Sequence, residues 1–295
     1  MIKRSQDSSN NKEQLDAQHK QRLQRLYADV KELKDALLTR DDGIYEGEIF
    51  TPSGIPSKSD EKIRTQFLEM HQMVENLGRI EWKVKQKIWT DDVLLTAGKQ
   101  PGQRLVRKAV VQDLIWSHLY QSMFCSPFRI FGDEGPASST YGYTWPLPGV
   151  KAERWRHFTI KECRDVLGKP APSGHDPRAR LKRGFQSSRA TLIETIVSEL
   201  SDIVDLDDSH VHLVGRLCQK AALTWFDFQM HRCRIVVGLT GSKTGSPAEK
   251  ATQVREASLV LTLLPMVGRH GNVEGVDLEN FTTINGCAGE TLTIP

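Results

Sequence analysis

The chain has 295 residues, 38% hydrophobic and 26% charged, which is enough for one large domain or two small ones with a true apolar core and too apolar for wholesale disorder. The formal net charge of +3 is small, which excludes a chain that coats nucleic acid or membrane by overall charge and leaves room only for local basic patches. No run of about 18 apolar residues occurs, so no membrane span and no membrane partner are expected.

The first residues, MIKRSQDSSNNK, lack an apolar stretch, so no secretory signal is expected. Five cysteines (Cys125, Cys163, Cys218, Cys233, Cys287) are widely spaced and odd in number. They read as free thiols in a reducing compartment, hence an intracellular protein of the cytoplasm or nucleus. The sequon Asn280-Phe281-Thr282 is then expected to stay unmodified.

Residues 1–12 are polar and read as disordered. From 13 to 41 the pattern becomes helical, with Leu23, Leu26, Val30, Leu33 and Leu37 alternating at spacings of three and four. That is a coiled-coil seam with Leu23, Val30 and Leu37 at a and Leu26 and Leu33 at d, preceded by His19 at a weak d position. A β-branched residue at one a position with leucine at d favours a parallel dimer. The seam is short, so two readings stand: self-association or a helical protein partner, and an amphipathic helix folded back on its own domain.

Asp41-Asp42-Gly43 stops that helix, and the Pro, Gly and Ser of 42–59 read as a linker. Ser59 is a plausible N-cap, with Asp60 and Glu61 behind it, for a second long helix. Ile63, Phe67, Met70, Val74, Leu77, Val84 and Ile88 keep heptad spacing along it, broken only at Glu81, and the first helix would pack there if it folds back. Residues 103–125 are apolar on several sides, as in a central core helix, and Pro127 ends them. A loop over 132–149 leads to a shorter helix at 151–167, with Trp155, Phe158, Cys163, Val166 and Leu167 as its apolar residues. After a break at 168–177, helices are expected at 187–204 and 208–232. The period then changes, and residues 234–239 and 257–264 read as two buried strands of a hairpin around a Gly/Ser loop, although 250–264 also fits a helix. Residues 281–284 and 291–294 read as short strands.

Three patterns bear on a candidate site. Val236 to Thr244 (VVGLTGSKT) looks like a strand entering a phosphate-binding loop, but that chemistry needs glycine directly before the lysine, and Ser242 stands there. His231 and Cys233 with Cys218 and His212, and His210 and His212 beside Asp207 and Asp208, lack the paired short spacings of a zinc site. In His175 to Arg189, the cations Arg178, Arg180, Lys182, Arg183 and Arg189 face only Asp176. They would serve phosphate contacts or nuclear import, with Phe185 placed to stack on a base, or else form a solvated loop and helix start.

The order of these features resembles a group of uncharacterised filamentous-fungal proteins. The features that carry the resemblance are the N-terminal coiled coil, Asp60-Glu61-Lys62-Ile63 with Phe67, Trp82 and Trp89, and an apolar helix running into Ser126-Pro127-Phe128. Further on come Gln229 to Arg234, the apolar stretch Leu259 to Pro265 and the turn Gly268-Arg269. The resemblance implies an intracellular fungal protein and carries over no activity.

The expectation is therefore a mainly α protein: an N-terminal coiled-coil or amphipathic helix, a helical domain over 60–232, and a small C-terminal β element over 233–295 packed on it. No catalytic, cofactor-binding or metal site is nominated. The leading function is protein–protein interaction or scaffolding, as a homodimer or with a helical partner. The alternatives are a nuclear protein contacting nucleic acid through 178–189, and an enzyme on an unrecognised helical scaffold.

Overall fold

The computed structural model describes residues 59–82, 103–135, 150–169, 177–231, 233–239, 259–272 and 277–294. All of them lie in one compact unit, Ile55–Pro295. The seam at Leu23 to Leu37 lies outside the described residues. The described elements are mainly helical with a small C-terminal β element, as the sequence implies. Helix α1 is Asp60–Leu77, α2 is Gln103–Leu119, α3 is Val150–Gly168, α4 is Pro177–Ile203 and α5 is Asp208–Gln229. Strands β1 to β5 are Arg234–Gly238, Leu259–Leu264, Met266–His270, Phe281–Thr283 and Glu290–Ile294. No described helix is long and apolar enough to cross a membrane.

Helix α1 begins where the sequence placed it. Ser59 is extended (ψ 152°) and its hydroxyl accepts from the Lys62 N–H, while Asp60 and Glu61 sit at the positive end of the helix dipole. The helix ends earlier than expected, at Leu77 rather than beyond Ile88. Gly78 takes over as cap, its N–H bonding Val74 O at 2.9 Å, and a Cβ there would lie 3.0 Å from Lys108 Cγ on α2. The chain then leaves the helical path. Asp205 N bonds Glu81 O at 3.0 Å, and Trp82 forms an isolated antiparallel bridge with Val204. The break that Glu81 makes in the stripe marks this exit; Val84 and Ile88 lie outside the described residues.

Ile63, Phe67, Met70, Val74 and Leu77 are all fully buried, and α1 packs on α2 and α5. Phe67 stacks on Trp116 of α2 with ring centroids 5.4 Å apart. Helix α2 is the expected central element. It continues into a π turn at Tyr120–Phe124, where the Cys125 N–H reaches back to Tyr120 O at 2.9 Å. Its polar residues serve strand β2: Asp113 accepts the Thr262 N–H at 2.7 Å, and the Trp116 indole donates to Leu263 O at 3.0 Å. The register of β2 shifts between Thr262 and Leu264, which turns these backbone groups out of the ladder toward α2.

Helix α4 starts at Pro177, ten residues before the expected 187, so the basic stretch from Arg178 on is helix rather than loop. Proline suits a first helical turn because its missing N–H would have no intrahelical partner. Gly184 lets α4 lie against the short 3-10 helix Arg129–Glu134, since a Cβ there would come 2.5 Å from Phe131 O. Helix α5 ends at Gln229, short of the expected 232.

The hairpin expectation fails. Strand β1 pairs antiparallel with β3, from Arg234↔His270 to Gly238↔Met266, and β3 pairs with β4. Strand β2 pairs instead with β5. The stretch between β1 and β2 is far longer than the roughly two to five residues of a hairpin loop. Pro265, which has no N–H for a ladder, separates β2 from β3 where the chain changes sheet. The apolar residues of β1 and β3 (Ile235, Val237, Val267) and Ile284 and Cys287 join the same core as the helices.

Candidate functional site

Among the described residues, the densest group of buried polar side chains lies where α3 meets the end of α5 and strands β1 and β3. Glu153, Arg156 and His157 of α3 are buried with Gln229, His231 and Arg234. Glu153 bridges two guanidiniums: Arg156 Nε donates to its Oε2 at 2.7 Å, and Arg234 bonds its Oε1. Arg156 also caps α5. Its other two nitrogens donate to Gln229 O and, at 2.8 Å, to His231 O, carbonyls that a helix end leaves without intrahelical partners. The Gln229 side-chain amide donates to Ile235 O at 3.3 Å and ties the same corner to β1.

Burial, and then the Arg156 charge beside it, push the His157 imidazole down to about 4, although its ring donates to the Met230 carbonyl. His270 on β3 is shifted the same way by burial and by Arg234, while donating to Leu278 O. Both imidazoles are therefore neutral at pH 7. The Nδ1 of each is buried without a hydrogen-bond partner.

Sequence reasoning missed this cluster because it read α3 by its apolar residues. The structure corrects that reading in part: Cys163 is buried and Leu167 packs on the core, but Phe158 is among the exposed large apolar side chains, and the described inward side chains also include Glu153, Arg156, His157 and Ile160. The readable signal was the period. Positions 153, 156, 160 and 163 fall on one helical stripe, and Glu153 with Arg156 forms an i,i+3 ion pair on it.

The nominated cations lie on the first half of α4. Arg178, Arg180 and Arg183 are exposed and Lys182 and Arg189 half-buried. Arg180 pairs with Glu134 at 2.9 Å, Lys182 donates to Lys169 O at 3.0 Å, and Arg189 donates to Gln219 and lies 5.9 Å from the Phe185 ring centroid. Phe185 is not placed to stack on a base. It is buried against Phe131 and Phe226, with ring centroids 6.0 and 5.7 Å away, because Gly184 brings this face of α4 onto the 3-10 helix.

The histidine and cysteine candidates separate. Cys218 is buried in α5 and Cys233 precedes β1, while His212 is exposed. Asp207 and His210 cap α5 reciprocally: the Asp207 carboxylate accepts the His210 N–H at 2.9 Å, and His210 Nδ1 accepts the Asp207 N–H at 3.3 Å. Burial pushes the Cys163 and Cys218 thiols up to about 12, far from the thiolate a nucleophile or metal ligand needs. Among the described residues, no group of three His, Cys, Asp or Glu side chains is placed to hold a metal ion. Val236 to Gly238 belong to β1, and Thr240 to Thr244 lie outside the described residues. Comparison with protein-family models, with curated proteins and with solved structures finds no match.

Proposed function

We propose that this is a non-enzymatic interaction or scaffold protein that works inside the cell and assembles through the helix at 13–41. Its seam, Leu23, Leu26, Val30, Leu33 and Leu37, would meet a second copy of the chain or a helical partner protein. One observation supports this over a helix folded back on the stripe of residues 60–89. The apolar face of α1 from Ile63 to Leu77, which the sequence offered as the seam's internal partner, is occupied by α2 and α5. Five free thiols are in keeping with a reducing compartment.

The test is the assembly state of the chain carrying Leu26→Asp with Leu33→Asp, measured by light scattering after size exclusion. Loss of a dimer, or of a co-purified helical partner, is the expected result. An unchanged assembly state and unchanged partners would mean that the seam packs internally.

A second reading, nucleic-acid contact, draws on the start of α4. Arg178, Arg180 and Arg183 stand exposed on its first two turns, where the helix dipole already favours an anion. Binding to duplex DNA or RNA that weakens steeply with salt supports it, and no binding at low salt disposes of it.

A further inference from the structure

Helix α3 meets the rest of the fold largely through ionisable side chains. Among its described side chains, Glu153, Arg156, His157, Ile160 and Cys163 are buried, and Leu167 packs on the core at the far end. We propose that α3 is a conditionally docked helix, which acid releases from the end of α5 and from β1 while α1, α2 and α4 stay packed.

The argument rests on what the cluster can accommodate. Two guanidiniums already share one carboxylate, Glu153. His157 sits beside Arg156 with one ring nitrogen committed to Met230 O and the other, Nδ1, buried without an acceptor. Protonation would place a buried N–H and a further positive charge beside Arg156, with Lys161 of the same helix adding to the repulsion. His270 repeats the arrangement from the strand side. Its Nδ1 is buried without a partner, and it faces Arg234 of β1, with Glu153 of α3 as the opposing carboxylate.

Toward the rim, Arg269 meets Asp60 at 3.4 Å and Arg164 of α3 meets Asp227 of α5 at 3.3 Å. The first of these pairs does not involve α3, and the second is too exposed to offset a buried charge. A neutral imidazole is thus a condition of the docked state. Because both folded-state values lie below the ordinary histidine value of 6.5, the released state binds more protons. The docked state is favoured fully above pH 6.5 and loses ground as pH falls toward about 4. Helix α1 carries one histidine of this kind beside its stripe, His71, which burial shifts down and whose Nδ1 is buried without a partner, but there Glu75 and Glu290 face the ring and outweigh Lys108, so a proton is tolerated and the same acidification leaves α1 in place.

Hydrogen exchange of the full chain, read as protection factors between pH 7 and 4.5, tests this directly. The α3 amides are expected to lose protection by up to about tenfold per pH unit for one proton taken up, while α1 amides keep theirs. His157→Gln retains a donor for Met230 O and cannot titrate, so its α3 protection should persist to lower pH. Loss of α1 and α3 protection together at one pH would overturn the proposal, as would an α3 profile in His157→Gln that follows the wild type. If circular dichroism at pH 7 shows that His157→Gln does not fold, the wild-type comparison of α1 with α3 decides, with His270→Gln as the second variant.

Discussion

Helices α1 and α3 both lay a face against α5, and they do so with opposite chemistry. From α1 come Ile63, Phe67, Met70, Val74 and Leu77, fully buried and all apolar. From the described side chains of α3 come a carboxylate, a guanidinium and an imidazole, followed by Ile160, Cys163 and Leu167. Apolar burial contributes roughly 1.5–3 kcal/mol per large side chain, without direction and without regard to protonation. A buried ion cluster contributes little net stability, because desolvation consumes most of the Coulomb gain, yet it fixes orientation and fails badly when one member is removed. The first face attaches a helix by apolar contact that ignores protonation, with His71 at its margin facing Glu75 and Glu290; the second attaches it only in one ionisation state and one geometry.

Glu153→Gln should break this contrast most severely. It keeps the shape but leaves Arg156 and Arg234 buried without their shared carboxylate, at a cost of about 3–5 kcal/mol in denaturant unfolding at pH 7. Met70→Ala on α1 should cost about 2–5 kcal/mol through a cavity, and by nearly the same amount at pH 7 and pH 5.5, since nothing in that stripe titrates. A Met70→Ala penalty that changed markedly with pH would erase the distinction between the two faces. The smallest effect belongs to Arg164→Ala. It removes an ion pair with Asp227 at the exposed rim between α3 and α5, and should change stability by less than about 1 kcal/mol, decreasing further in salt.

The same contrast explains what could be read in the sequence. Helix α1 was legible at its start, because a capping serine, two first-turn acids and an apolar stripe all agree, but not at its end, because the heptad spacing carries on past Leu77 to Ile88. Helix α3 was legible as a helix and through Cys163 and Leu167, but its polar inward residues were not, because a stripe that begins with Glu153 and Arg156 looks like a solvated face until partners on α5 and β1 are known. Strands β1 and β2 were found because their residues are apolar, but apolarity reports burial and not partner, so β3 and β5 could not be chosen. Phe185 was misjudged through its basic neighbours, although Gly184 beside it is a sign of close backbone approach. The seam at Leu23 to Leu37 rests on heptad spacing alone.

The central claim is that this chain assembles through the helix at 13–41 while the unit beyond it closes its own core. The most direct test compares the solution mass of the full chain with that of a version starting at Ser59, by light scattering after size exclusion. The account predicts a full-length dimer, or a complex with a helical partner, that becomes a monomer with its helical content intact on truncation. A full-length chain that is monomeric and partner-free, or a truncated chain that keeps the full assembly, would contradict it.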